Sequence, residues 1–193
     1  MIHNRKITPL LLRFYSRCFL FPYEEMTYEL QHIFRQIETF IDDEGDLLIE
    51  QEVLAVLNSF QGEDIQNLRS DYVLLFSKSY RSESLCPLFA GEFTSQLGIP
   101  YDPDIFVDLL LDSELIPGEE EAMDSIVNYL EYYAFLHDAA EFESPYQINA
   151  ELFLEKHLQI WIPQFCDLLY KSANVTFYRE LAATLKRYIL SNT

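Results

Sequence analysis

Apolar residues recur at intervals of three and four along most of this chain, which is the spacing of one face of an α-helix. Only five glycines interrupt the pattern, so we expect an all-α fold with little room for strands. Pro22 ends the first periodic stretch. Its apolar face consists of Leu10, Leu11, Phe14, Cys18 and Phe21. The pattern predicts helices over residues 7–21, 23–41, 48–60, 64–79, 119–140, 149–171 and 176–190.

Two interruptions organise this series of helices. Asp42–Asp46 is predicted to be a turn, in which Gly45 supplies the left-handed conformation that ends a helix. Residues 80–118 are rich in proline and glycine and predict a long, loop-rich connector, with one short helix over 104–111. The 149–171 helix is expected to kink near Pro163.

The length of 193 residues suits a single domain, which we divide into three parts. These are an N-terminal helical half (about 1–79), the connector (about 80–118) and a C-terminal helical half (about 119–193). A hinge as long as this connector allows either a monomer or a domain-swapped dimer.

The segment 124–136 within the predicted 119–140 helix carries apolar residues on nearly every side, as central helices do. Asp124 and Glu131 are two turns apart and are expected to share one face of it. A carboxylate in such surroundings needs a partner. Two interpretations stay open: internal capping or pairing for either residue, or, for Asp124, contact with a cation of a partner molecule.

Charge along the chain is very uneven. Residues 82–155 contain 17 acidic residues and no lysine or arginine, and the whole chain has a formal net charge of −19. Nucleic acids and anionic membrane surfaces would be repelled. A partner with both cationic and apolar residues fits better, because charge steers the encounter and apolar burial supplies affinity. The alternative is a soluble acidic protein whose copies repel one another.

No run of about 18 apolar residues occurs, and the polar start of the chain does not resemble a signal-peptide core, so we expect a cytoplasmic protein without membrane insertion. Three cysteines, odd in number and far apart, indicate buried free thiols rather than disulfides or a metal or redox motif. Four aromatic residues at helical spacing are expected in the core, and His157 beside them is expected to make a structural hydrogen bond. The four are Trp161, Phe165, Phe177 and Tyr178.

Catalytic and cofactor motifs are missing from the sequence. It has no nucleophile elbow, no phosphate-binding glycine loop and no dinucleotide fingerprint. Its only Glu-x-x-His pair is Glu29 and His32, whereas a carboxylate-bridged dimetal bundle needs two. We therefore predict no catalytic residues, metal or cofactor. A general helix-binding adaptor stays open, as does an all-helical enzyme that uses Asp124 and Glu131 as acid and base.

Three blocks of sequence resemble the TorD/DmsD/NarJ-type chaperones for molybdoenzyme assembly, also called redox enzyme maturation proteins. The first is Asp-Tyr-Val-Leu-Leu-Phe at 71–76, and the second is the segment 124–136. The third is Phe-Leu-Glu-Lys-His-Leu at 153–158, with Trp161, Pro163 and Phe165 after it and then Phe-Tyr at 177–178. The chain departs from the family at its Pro-Asp-His signature, of which only Asp124 remains.

The resemblance implies a single, bundle-like, non-catalytic domain that binds the apo catalytic subunit of a molybdenum or tungsten oxidoreductase. Many members recognise its twin-arginine signal peptide, and NarJ-like members recognise an N-terminal region without export. Ser125 stands where the family has histidine and cannot titrate near neutral pH. The predicted peptide-binding residues are Asp124 for cation contact, Ser125 for a polar contact, Tyr72 and Phe76 as groove lining, Asn128 and Tyr132 as neighbours, and Leu88 and Phe89 as a closing segment.

Overall fold

The computed structural model describes residues 6–41, 44–78, 83–113, 123–140 and 144–191. Within these ranges the chain is helical and contains no strand, which confirms the all-α prediction. A π-helical turn, Leu154–Leu158, joins α8 to α9 without a break. The helices are α1 (Ile7–Cys18), α2 (Met26–Glu38), α3 (Glu44–Gly62), α4 (Ile65–Phe76), α5 (Ala90–Leu97), α6 (Asp104–Asp112), α7 (Ile126–Ala140), α8 (Ser144–Phe153), α9 (Gln159–Ser172) and α10 (Thr176–Ser191).

The core lies between two groups of packed helices. α10 packs on α9, α3 and α1, while α7 packs on α1 and α8, so α1 contacts both groups. The buried apolar side chains form one contiguous cluster, and the four aromatic residues predicted for the core are fully buried in it. The three cysteines are free and buried as predicted, and burial raises the pKa of each thiol.

The first two helices are shorter than predicted. α1 ends at Cys18, and Phe21 is 48 % exposed rather than part of the buried face. Its ring instead packs edge-on against Tyr72 at the surface. The periodicity continued past the true end because Phe21 satisfies the spacing without being in the helix.

Gly45 does not end a helix. The backbone of α3 begins at Glu44, so Gly45 lies in the first turn of a helix, where glycine is tolerated; positions 42 and 43 of the predicted turn lie outside the described residues. Among the described residues, the glycine with a left-handed backbone is Gly98, with φ of 65°, at the end of α5. The Ile99 N–H donates to the Thr94 carbonyl (2.8 Å), which completes a Schellman-type helix end.

The connector contains more helix than predicted. α6 confirms the helix expected over 104–111, but α5 was not predicted because Gly91 near its start and Gly98 after its end obscure its periodicity. None of the described helices is long and apolar enough to cross a membrane.

The segment before α7 is not helical, contrary to prediction. Residues 123–125 form a turn and an isolated bridge, α7 begins at Ile126, and positions 119–122 lie outside the described residues. Asp124 therefore lies outside the helix and does not share a helical face with Glu131. The Ser125 hydroxyl accepts the Asn128 N–H (3.3 Å), so Ser125 serves as the cap that lets the helix begin where it does.

The irregularity in the long C-terminal helix lies earlier than the predicted kink. Pro163 is inside α9, while the π-helical turn lies at Leu154–Leu158, where the Gln159 N–H bonds to the Leu154 carbonyl. Pro163 has no N–H to offer the carbonyl of Gln159, four residues earlier. The π-helical turn therefore ends directly before Gln159, whose carbonyl lacks its usual N–H donor because of Pro163.

Candidate functional site

The connector meets the start of α7 where residues 88–91 lie beside residues 124–126, and we call this region the Asp124 junction. The Ala90 N–H donates to the Asp124 carbonyl (2.9 Å), and the Ile126 N–H donates to the Leu88 carbonyl (2.8 Å). These bonds flank the bridge of Phe89 with Ser125. Four of the eight predicted binding residues are thus brought together.

The Asp124 carboxylate lies at the N-terminus of α5. Its Oδ2 accepts the N–H of Gly91, in the first turn of that helix, at 2.8 Å. The first amides of a helix have no internal acceptor and carry a partial positive charge, so the bond supplies the Gly91 N–H with an acceptor. Asp124 is half-exposed, and in the part of the chain that the structure describes its Oδ1 receives no hydrogen bond. This oxygen is available to a donor from another molecule.

The other polar residues at the junction fix its shape. Ser125 is buried and caps α7, and the Asn128 side-chain amide donates to the Met123 carbonyl (3.1 Å). Leu88 is buried, whereas Phe89 is half-buried and keeps some surface. As a result, Leu88 belongs to the core in this structure, and Phe89 is the apolar side chain of the pair that a partner can reach.

Tyr132 lies beneath α6. It is buried, packs edge-on against Phe106 and Phe153, and has its hydroxyl 3.2 Å from Ser113 Oγ, just after α6. Its contacts attach α6 to α7, which makes it a support for the surface that α6 presents.

Tyr72 and Phe76 have different neighbours. Both are on α4, where the Tyr72 hydroxyl donates to the Phe19 carbonyl (3.2 Å) and Phe76 packs against Phe19 and Tyr178. Tyr72 also packs edge-on against Phe21 and Phe76. A backbone hydrogen bond connects α4 to the segment just before the junction: the Cys86 N–H donates to the Leu75 carbonyl (2.7 Å).

α6 presents a surface that is both acidic and apolar. Exposed on it, or directly before it, are three aspartates and two apolar residues, Ile105 at 54 % and Leu111 at 47 % exposure. We call this surface the α6 face. It comprises Asp102, Asp104, Ile105, Asp108 and Leu111. None of its three carboxylates has an ion-pair partner among the described residues.

The α6 face begins next to the Asp124 junction. Pro103, which precedes α6, lies so close to Gly91 that a methyl group there would be 3.1 Å from its Cγ. Tyr101 lies near both Asp124 and Asp102. Burial, together with the negative charges of these two residues, raises the pKa of Tyr101 to about 12, and the hydrogen bond with Tyr129 opposes part of this shift. Asp124 and the α6 face thus form one region of negative charge.

Other acidic side chains of the cation-free stretch are neutralised internally. Arg13 on α1 forms ion pairs with Glu131 and Asp138, and the Ser16 hydroxyl donates to Glu131. The Lys78 Nζ lies 3.0 Å from Glu92 Oε1 and 3.6 Å from Glu83 Oε2. Glu131 therefore faces α1 while Asp124 caps α5, and within the described ranges no residue forms a hydrogen bond or ion pair with both of them.

A buried polar cluster, which the sequence did not reveal, supports the junction from below. The Tyr101 hydroxyl lies 2.6 Å from the Tyr129 hydroxyl and 2.9 Å from His157 Nδ1. Burial lowers the pKa of His157 to about 4 and raises that of Tyr129, so the histidine is neutral near pH 7. The predicted structural hydrogen bond of His157 is confirmed, and it attaches the connector to the π-helical turn.

Asp71, the first residue of the first motif block, has a structural role. Its carboxylate accepts the Asn174 N–H (2.9 Å), the Asn174 side-chain amide (2.7 Å) and the Val175 N–H (3.0 Å). It is 3 % exposed and holds the chain just before α10. No signal local to the motif identifies a partner more than 100 positions away.

No group of three or more histidine, cysteine or carboxylate residues in the described ranges is placed to hold a metal ion.

Comparison with curated proteins gives no match. The fold is similar to the crystal structure of a protein from Archaeoglobus fulgidus provisionally named a redox enzyme maturation protein. The two are 20 % identical with a TM-score of 0.58, over 94 % of this chain and 93 % of the other.

A family model described as nitrate reductase delta subunit matches residues 23–167, three quarters of the chain. The match includes the first two motif blocks and most of the third. It confirms the resemblance to the NarJ and TorD type, whose members are maturation chaperones and not catalysts. The chain therefore belongs to the nitrate reductase delta subunit family and is a chaperone of redox enzyme maturation.

Proposed function

We propose that this protein is a cytoplasmic chaperone for a molybdenum or tungsten oxidoreductase. It binds the N-terminal segment of the apo catalytic subunit, and through it the subunit, until the cofactor is inserted. The segment is either a twin-arginine signal peptide or the corresponding non-exported region. The observation that carries the proposal is the α6 face beside Asp124, which combines unpaired carboxylates with exposed apolar side chains.

The chemistry of such a segment matches this surface. A twin-arginine signal peptide joins a pair of guanidinium groups to an apolar run. Asp124 offers a carboxylate oxygen for a charge-assisted hydrogen bond, and the aspartates of the α6 face add attraction along the same side. Ile105, Leu111 and the exposed part of Phe89 offer apolar contact for a helical segment.

Ser125 and Asn128 contribute by holding Asp124 in place. Their hydrogen bonds fix the turn at 123–125, and serine cannot gain a proton near neutral pH. We therefore propose that recognition does not depend on the titration of a group at position 125, where the family has histidine. The general helix-binding adaptor differs from this proposal only in the identity of the bound peptide.

The test is calorimetric titration with the N-terminal peptides of the molybdoenzymes encoded near this protein. Each peptide is compared with a copy in which glutamine replaces the arginine pair, at low and moderate salt. We expect micromolar or tighter binding that weakens with salt, with loss of the arginines and with Asp124→Asn. Tight binding that is indifferent to all three would contradict recognition by charge, and absence of binding to every peptide would contradict the proposed function.

A further inference from the structure

Gly91 lies between the two parts of the proposed binding region. Its N–H donates to Asp124 Oδ2 (2.8 Å). A methyl group on its Cα would lie 3.1 Å from the same carboxylate oxygen and 3.1 Å from Cγ of Pro103, which precedes α6. The absence of a side chain at this one position permits the close approach of α5, Asp124 and the start of α6.

Neither neighbour can move away without a cost. Asp124 is held from both sides, because its carboxylate accepts from Gly91 and its carbonyl accepts from Ala90 (2.9 Å). The Pro103 ring is rigid and begins the helix that carries the acidic face. An added methyl group would therefore either displace the carboxylate from the N-terminus of α5 or displace the start of α6.

We propose that Gly91 is a positioning residue for Asp124, setting where its carboxylate points relative to the α6 face. The inference rests on the proposed function for its effect on binding, but its effect on the Asp124–Gly91 hydrogen bond is independent of any ligand. The backbone of Gly91 is not left-handed, so alanine is opposed by space and not by backbone conformation, and its neighbours would have to give by a few tenths of an ångström.

The experiment compares Gly91→Ala with Gly62→Ala. Gly62 is the matched control, because a methyl group there meets no atom within 4 Å. For binding to an arginine-containing N-terminal peptide, we expect Gly91→Ala to weaken affinity roughly threefold to tenfold and Gly62→Ala to leave it unchanged. Gly91→Ala combined with Asp124→Asn should bind no more weakly than Asp124→Asn alone, since both changes act on one group.

Amide hydrogen exchange measured by NMR supplies the ligand-free readout. The residue-91 amide is in the first turn of α5, where the helix offers it no internal acceptor, and among the described residues its acceptor is the Asp124 carboxylate. We expect this amide to exchange several-fold faster in Gly91→Ala than in wild type, at a temperature where both are folded. Adding Pro103→Ala removes the contact with Cγ, so it tests whether the methyl group acts through α6.

The outcomes separate the two hypotheses. If wild type binds no peptide but residue 91 exchanges faster in Gly91→Ala, the proposed function fails and the positioning inference holds. Three results would overturn the inference that Gly91 acts through Asp124. The first is unchanged exchange at residue 91, and the second is independent effects of Gly91→Ala and Asp124→Asn on affinity. The third is full recovery of affinity and of amide protection when Pro103→Ala is added to Gly91→Ala.

Discussion

Asp71 and Asp124 both hold the start of a helix with a carboxylate, in opposite surroundings. Asp71 is buried and accepts three hydrogen bonds before α10, from the backbone and side chain of Asn174 and from Val175. Asp124 is half-exposed, and its side chain accepts only the bond from Gly91 among the described residues. A buried carboxylate that already accepts three internal hydrogen bonds stabilises the fold. A partly exposed one, with an oxygen that accepts no internal bond, can also recognise a partner.

The largest effect should come from removing the buried carboxylate. Asp71→Ala leaves three buried or partly buried N–H groups without their acceptor, so we expect a loss of about 3 kcal/mol in the free energy of unfolding. The control is Asp64→Ala at the exposed cap of α4, whose carboxylate accepts one hydrogen bond among the described residues, from the Gln66 N–H, with an expected loss of about 1 kcal/mol. Urea denaturation measures both. Equal losses would mean that the three hydrogen bonds to the buried Asp71 carboxylate stabilise the fold no more than the single bond to Asp64.

Acid should destabilise the fold through His157. Its pKa is about 4 in the folded chain and about 6.5 when unfolded, so protons bind the unfolded state preferentially between these values. The histidine therefore costs no stability above pH 6.5. As the pH falls from 6.5 towards 4 the free energy of unfolding should drop by on the order of 3 kcal/mol and then level off.

The comparison of wild type with His157→Gln isolates this contribution from the many carboxylates. Glutamine keeps a hydrogen-bonding group beside Tyr101 but does not titrate. The difference between their urea-derived free energies should change across pH 4–6.5 and stay constant above it. A constant difference throughout would show that the histidine is not held neutral by burial.

The partly exposed carboxylate should behave in the opposite way to Asp71. For Asp124→Asn we expect less than about 1 kcal/mol of lost stability, because only one hydrogen bond at a partly exposed helix end is affected. Peptide affinity should fall roughly threefold to tenfold. Thermal unfolding and calorimetry measure the two quantities, and a stability loss as large as that of Asp71→Ala would make Asp124 a structural residue only.

The smallest effect on stability is expected at the α6 face. Replacing Asp104 and Asp108 with lysine should change the free energy of unfolding by about 0.5 kcal/mol or less, because both are exposed and unpaired in the described structure. Association with a basic peptide should nevertheless slow, and its dependence on salt should weaken. Stopped-flow kinetics at several salt concentrations would detect this, and unchanged rates would remove the α6 face from the encounter.

Much of this fold was predictable because helical periodicity is a local property. The all-α class, the core aromatic residues and the short helix at α6 follow from the sequence and its spacing. The errors lie where a local signal is ambiguous: Gly45 is compatible with a turn and with the first turn of a helix, and Gly91 and Gly98 obscured α5. The non-helical start of α7 depends on a pairing with residues 88–90, which no local pattern encodes.

The site was predictable in part for the same reason. Asp124 stood out from its sequence context, but its hydrogen bond to Gly91 joins residues 33 positions apart. Tyr72 and Phe76 were grouped with Asp124 through a shared family pattern, and such a pattern does not reveal which blocks are neighbours in space. The Tyr101–His157 hydrogen bond likewise depends on packing between distant segments.

We propose that the partner binds at Asp124 and the α6 face. Hydrogen exchange of the full chain, with and without a saturating N-terminal peptide that contains the arginine pair, tests it most directly. We expect added protection in residues 88–91, 102–112 and 123–128, with little change in α4. Protection confined to α4 around Tyr72 and Phe76, or to the α9–α10 pair, would contradict it.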